Sequence, residues 1–125
     1  LNGCMETWVS GRAFQAQYEE AAGERRHGSE IVELARAGDS LAAGLLDRYI
    51  SRVARGLAVI VNVLDPDVFV LGGGMSNVDE LYERLPSQIL EYTFTTVFTT
   101  PIVRSKHGPA SGVRGAAWLW AEDPA

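Results

Sequence analysis

Three consecutive glycines, Gly72, Gly73 and Gly74, follow the β-forming run Val68, Phe69, Val70 and Leu71 and lead into Met75, Ser76 and Asn77. Backbone without β-carbons lets N–H groups come close to a ligand, and a helix N-terminus behind the turn adds positive potential. The guest that suits such a turn is the phosphate or ribose of a nucleotide. The other reading is a tight strand-to-helix connection, because the spacing is neither the dinucleotide fingerprint nor the lysine-bearing phosphate loop.

Three further features could carry chemistry, and two more read as structural. Residues 106–115 hold Gly108, Gly112 and Gly115 beside the donors Lys106 and His107, a pattern that serves a polar ligand or a helix cap. Glu6 stands at the start of a helical pattern, where a carboxylate is favoured by the helix dipole whether or not it also meets a ligand. Cys4 is the single cysteine; it is a small buried residue or one ligand of a metal site, and zinc needs three or four. His27 sits in a charged loop and is read as solvated, while Trp8, Trp118 and Trp120 are read as core or interface anchors, since no basic residues interleave with them.

The elements that must position these groups follow from apolar spacing. Met5, Trp8, Val9, Phe14 and Tyr18 predict helix over residues 6–22 with a break at Ser10 and Gly11. Ser29 is expected to cap a short helix carrying Ile31, Leu34 and Ala35. The longest helix is predicted over residues 41–64, apolar nearly all round in its second half and so expected to be buried there. Asp65 and Pro66 stop it. Residues 68–71 then read as a buried parallel strand, residues 78–90 as a helix with Pro86 as a kink or boundary, and residues 102–105 as a second strand. A terminal helix is expected to run through Trp120. The alternation of helices and strands is that of an α/β fold.

Composition narrows the function classes. With 125 residues, 46% of them hydrophobic, the chain can bury a core, and its opening at Leu1 is read as that of a piece of a longer protein. A net charge of -5, with no basic cluster longer than Arg25 and Arg26, argues against nucleic acid or an anionic membrane as partner. The longest apolar stretch, residues 57–64, is interrupted by Asn62 and falls far short of the roughly 20 residues that span a bilayer. No targeting segment is visible, and a lone cysteine suits a reducing, cytoplasmic setting.

Gly3, Cys4, Met5 and Glu6 with the residues to Gly11, then residues 62–77, then Lys106, His107 and Gly108 with residues 111–118, resemble the ROK sugar kinases, in their bacterial fructokinase or manno(fructo)kinase branch. The resemblance implies an α/β ribonuclease-H-like lobe of the actin and hexokinase type, here an incomplete C-terminal portion spanning residues 1–125. It implies a cleft that closes on a hexose and Mg-ATP and transfers the γ-phosphoryl group, with the 6-OH of fructose as the expected acceptor. In the family pattern Glu6 contacts sugar hydroxyls, and Gly72, Gly73 and Gly74 with Met75 and Ser76 lie against the nucleotide. Cys4 matches the last of four ligands of a structural zinc, the others being expected upstream. Pro109 stands where the pattern has an acidic residue. The catalytic aspartate and the phosphate loops are likewise expected upstream, so Asp65 and Asp67 are read as turn residues. The partners so implied are hexose, ATP and a second copy in a homodimer. Two alternatives stand beside the kinase: the sugar-binding body of a ROK transcriptional repressor, and an inactive remnant whose exposed apolar surface drives dimerisation.

Overall fold

The computed structural model describes residues 4–108 and 110–119, so Gly3, Pro109 and Trp120 lie outside the described residues. The order is α1 (Glu6–Val9), α2 (Gly11–Ala22), α3 (Gly28–Arg36), α4 (Ser40–Leu64), β1 (Phe69–Leu71), a 3-10 turn (Gly74–Asn77), α5 (Asp79–Leu90), β2 (Ile102–Arg104) and α6 (Ser111–Trp118).

The long helix α4 is the axis on which the rest is assembled. Asp39 caps it by accepting the Ala42 N–H at 2.8 Å, and Asp65 ends it in the left-handed region at φ 44 and ψ 62, a conformation that Asp tolerates better than most residues. Its buried stripe, Leu46, Tyr49, Ile50, Ala54, Ala58 and Val61, keeps helical spacing. Against it pack Phe14 and Tyr18 of α2, Ile31 and Val32 of α3, and Leu81, Leu85 and Ile89 of α5. Each such fully buried aliphatic side chain contributes about 1.5–3 kcal/mol relative to exposure. Phe14 and Tyr49 meet with ring centroids 5.2 Å apart, which ties α2 to the middle of α4.

The predicted break at Ser10 is real: its extended backbone separates α1 from α2, and its hydroxyl accepts the Ala13 N–H at 3.1 Å. Strands β1 and β2 pair in parallel, Phe69 opposite Ile102 and Leu71 opposite Arg104. The Phe69 N–H donates to the Pro101 carbonyl and the Ser105 N–H to the Leu71 carbonyl, both at 2.9 Å, fixing the register. Pro86 is accommodated inside α5 without ending it.

The structure corrects several expectations. Val59, Val63 and Leu64 on α4 are 57%, 74% and 71% exposed, so its second half is covered on one side only. The strand is half-buried in the same way, Phe69 inward and Val70 exposed. Both corrections have one cause: hydropathy reports which faces gain from cover, and no described element covers these residues. Gly112 and Gly115 belong to α6 rather than to a loop, and α6 itself is exposed, with Trp118 on the surface instead of in the core.

Candidate functional site

The glycine turn does not lead straight into a helix. Gly73 takes φ 78 and ψ 179, open in practice only to glycine, and Gly74 starts the 3-10 turn, so α5 begins five residues later at Asp79. Ser76 is buried beneath the turn, where its hydroxyl donates to the Gly73 carbonyl at 2.7 Å, and the Tyr82 hydroxyl donates to the Ser76 carbonyl at 2.7 Å. The turn is therefore held from below, with its glycine edge left open.

That edge forms one wall of a cavity of about 750 Å³. Gly72, Gly73, Gly74 and Met75 line it together with the first turns of two helices, Gly11 and Arg12 of α2 and Gly28 and Ser29 of α3. The N-terminus expected from the helix that follows the turn is set back to Asp79, and the N-termini that line the cavity are instead those of α2 and α3, whose orphan N–H groups favour an anion. The volume lies within the range of about 300–1,000 Å³ usual for small-molecule sites.

His27, exposed to solvent as expected, caps α3 two residues before Ser29, the cap that was expected, and its side of the loop lines the cavity. Its Nδ1 accepts the Ser29 N–H at 3.4 Å and its own N–H donates to Glu30 at 2.7 Å, a reciprocal capping box. Farther along α3, Arg36 donates to both carboxylate oxygens of Glu80, at 2.7 and 2.8 Å, and to Glu33 at 2.7 Å. The fork joins α3 to α5, and its Arg36 and Glu33 line the cavity. Its hydrogen bonds hold the Arg36 guanidinium above its ordinary pKa, led by Glu80, and hold the Glu80 carboxyl below the usual carboxylate range, led by Arg36. Arg12, on the same cavity wall, has no ion pair with any described residue. Tyr49 reaches the cavity from α4; its hydroxyl donates to the Val9 carbonyl at 3.0 Å, and burial pushes it up to about 12.

The remaining sequence candidates are placed elsewhere. Glu6 is exposed in the first turn of α1, next along the chain from the α2 wall but outside the cavity lining. Lys106 and His107 are exposed and take no part in the cavity, His107 meeting the edge of Trp118 with centroids 6.4 Å apart. Cys4 is exposed, and no three His, Cys, Asp or Glu side chains among the described residues gather to hold a metal. The described donors therefore do not fit a closed zinc site around Cys4. Asp65 and Asp67 are exposed at the turn between α4 and β1, as expected of capping residues.

The ROK family model matches residues 1–123. Among curated proteins, an N-acetyl-D-glucosamine kinase of Photobacterium profundum is 42% identical over 117 residues, and one of Vibrio atlanticus 39% identical over 117; each match covers 94% of this chain and 39% of the relative. Among solved structures, a ROK hexokinase from Thermus thermophilus superposes with a TM-score of 0.76 at 32% identity, covering 92% of this chain and 39% of that one. A ROK-family glucokinase from Streptomyces griseus, solved with glucose and AMPPNP, gives a TM-score of 0.73 at 27% identity over 94% of this chain and 44% of that one. The fold is that of part of an actin-like ATPase lobe. The chain belongs to the ROK family, and it spans about two fifths of the length of the relatives it matches. For the described residues, no helix is long and apolar enough to cross a membrane.

Proposed function

We propose that this chain supplies the nucleotide-facing part of an ATP-dependent hexose kinase, with the cavity between residues 72–75 and the first turns of α2 and α3 taking the nucleoside of Mg-ATP. One observation carries the reading: a turn whose backbone only glycine adopts and two helix N-termini line one cavity of ligand size. Backbone N–H groups and Arg12 offer donors, while Arg36, neutralised by Glu80 and Glu33, serves as a rigid wall. The reaction is transfer of the γ-phosphoryl group to a sugar hydroxyl, in which positioning and charge neutralisation do most of the catalysis. Glu6 would accept hydrogen bonds from sugar hydroxyls, a role that its exposed carboxylate suits. No described carboxylate stands in the cavity free to act as base, since Glu33 is paired with Arg36.

For the acceptor, the relatives favour N-acetylglucosamine over the fructose that the motif pattern points to, because the two reported are N-acetyl-D-glucosamine kinases. The test is an ADP-release assay on the product of the whole reading frame that contains this sequence, with N-acetylglucosamine, glucose, mannose and fructose at matched concentrations. Turnover that depends on N-acetylglucosamine supports the reading, and turnover only with fructose returns the acceptor to the fructokinase branch. Sugar binding without turnover for any sugar would replace the kinase by the repressor body.

A further inference from the structure

We propose that Met75 is a positioning residue that couples the glycine turn to the helix carrying Glu6, so that nucleotide held at the turn fixes the sugar-facing end of the chain. The proposal rests on the nucleotide reading of the cavity.

The thioether of Met75 is seated between the first residues of two helices. A β-carbon on Gly11 would lie 3.0 Å from Met75 Cγ and 3.7 Å from Sδ, and one on Gly28 would lie 3.4 Å from Sδ. Two glycines at helix starts thus open the slot that this side chain fills, while Met75 also lines the cavity beside Gly74. Any shift of the turn is felt first at Gly11.

From Gly11 the path to α1 is a single residue. Ser10 donates its N–H to the Glu6 carbonyl at 3.2 Å and accepts the Ala13 N–H on its hydroxyl at 3.1 Å, so it is bonded into both helices at once. Helix α1 has four residues and none of them is buried. So short a helix is not stable on its own hydrogen bonds, and its position is set by what touches it. Against α4 those contacts are Met5 on Gly56, where a β-carbon would lie 3.1 Å from Sδ, the Tyr49 hydroxyl on the Val9 carbonyl, and Arg52 4.5 Å from the centroid of the Trp8 ring. Against the nucleotide turn the connection is Met75 through Gly11. Nucleotide that immobilises residues 72–75 therefore restrains α1 from its second side.

The test is amide hydrogen exchange over residues 4–10 in this chain with and without AMPPNP, with nucleotide binding followed by calorimetry. In the unsubstituted chain, nucleotide should slow exchange there by about fivefold or more, the lower end of usual coupling between sites. Met75→Ala, compared at its own nucleotide saturation, should lose that slowing, and the volume-conserving Met75→Leu should regain it. Gly11→Ala, which crowds the thioether from the helix side, should lose it too, and it carries the test if Met75→Ala does not fold. Slowing that persists in Met75→Ala or Gly11→Ala overturns the proposal, as does binding without slowing in the unsubstituted chain, and both leave the nucleotide reading intact. Absence of nucleotide binding in the unsubstituted chain overturns both.

Discussion

Substituting Gly73 and Gly74 separately distinguishes what the turn needs for folding from what it needs for ligand. A β-carbon at either position meets no atom within 4 Å, so neither substitution creates a clash in the free chain. They differ in backbone: Gly73 is held at φ 78 and ψ 179, whereas Gly74 lies in the 3-10 turn with no left-handed φ. Gly73→Ala should therefore cost about 1–3 kcal/mol of stability, the usual strain for a side chain in that region. At this chain length that is a fall in Tm of roughly 3–15 °C. Gly74→Ala should leave Tm unchanged or raise it slightly, since alanine restricts the unfolded chain. Binding should show a different pattern. The added methyl of Gly74→Ala projects at an edge where backbone is to meet ligand, and overpacking of about 1–3 kcal/mol corresponds to a roughly five- to hundredfold weaker Kd for AMPPNP. Circular-dichroism melts and calorimetric titration read both quantities. Equal Tm for the two variants would refute the backbone argument, and a Gly74→Ala chain that binds nucleotide as tightly as the original would refute the contact.

Three further outcomes follow from other parts of the molecule. Glu6→Gln, in the product of the whole reading frame, should raise the KM for sugar at least about tenfold with little change for ATP, because a carboxylate accepting hydroxyl hydrogen bonds loses about 1.5–3 kcal/mol when neutralised; equal losses for both substrates would remove the sugar role. The Tyr49 hydroxyl, raised from 10.0 to about 12 by burial, favours the neutral form in the folded state. Its contribution is fully present below pH 10 and is lost between pH 10 and about 12, where the unfolded chain ionises first, an effect of roughly 2–3 kcal/mol. Tyr49→Phe should flatten that part of a pH-dependent urea titration. The exposed Val63, Leu64, Val70, Val113, Trp118 and Leu119 should drive self-association of this chain, so that light scattering gives at least twice the mass of one chain; a monomer at tens of micromolar would contradict it.

Elements defined by local spacing were legible in the sequence. The stripe from Leu46 to Val61 announces α4, Ser10 and Gly11 announce the break before α2, and the run ending at Leu71 announces β1 before its glycine turn. What could not be read locally is what stands opposite. The second cavity wall comes from residues 11–12 and 28–29, which lie more than forty positions from the glycine turn and meet it only because α2 and α3 dock on α4. A signal for His27 was present and unused, since Glu30 stands three residues after it in capping-box spacing, but histidine is an uncommon cap. The burial of α4 and β1 was overestimated because an apolar face states a preference for cover and not that a covering layer is there. The sugar-side and metal-side assignments of Glu6 and Cys4 came from motif resemblance, and local pattern gives neither residue a partner.

The nucleotide site is tested most directly by titrating AMPPNP with Mg²⁺ into the isotopically labelled chain and following backbone amides by NMR. Perturbations that saturate together and cluster at Gly72, Gly73 and Gly74, at Gly11 and Arg12, and at Gly28 and Ser29 are the predicted result, since these groups line one cavity. Perturbations centred instead on Lys106 and His107, or none at nucleotide concentrations up to several millimolar, would contradict it.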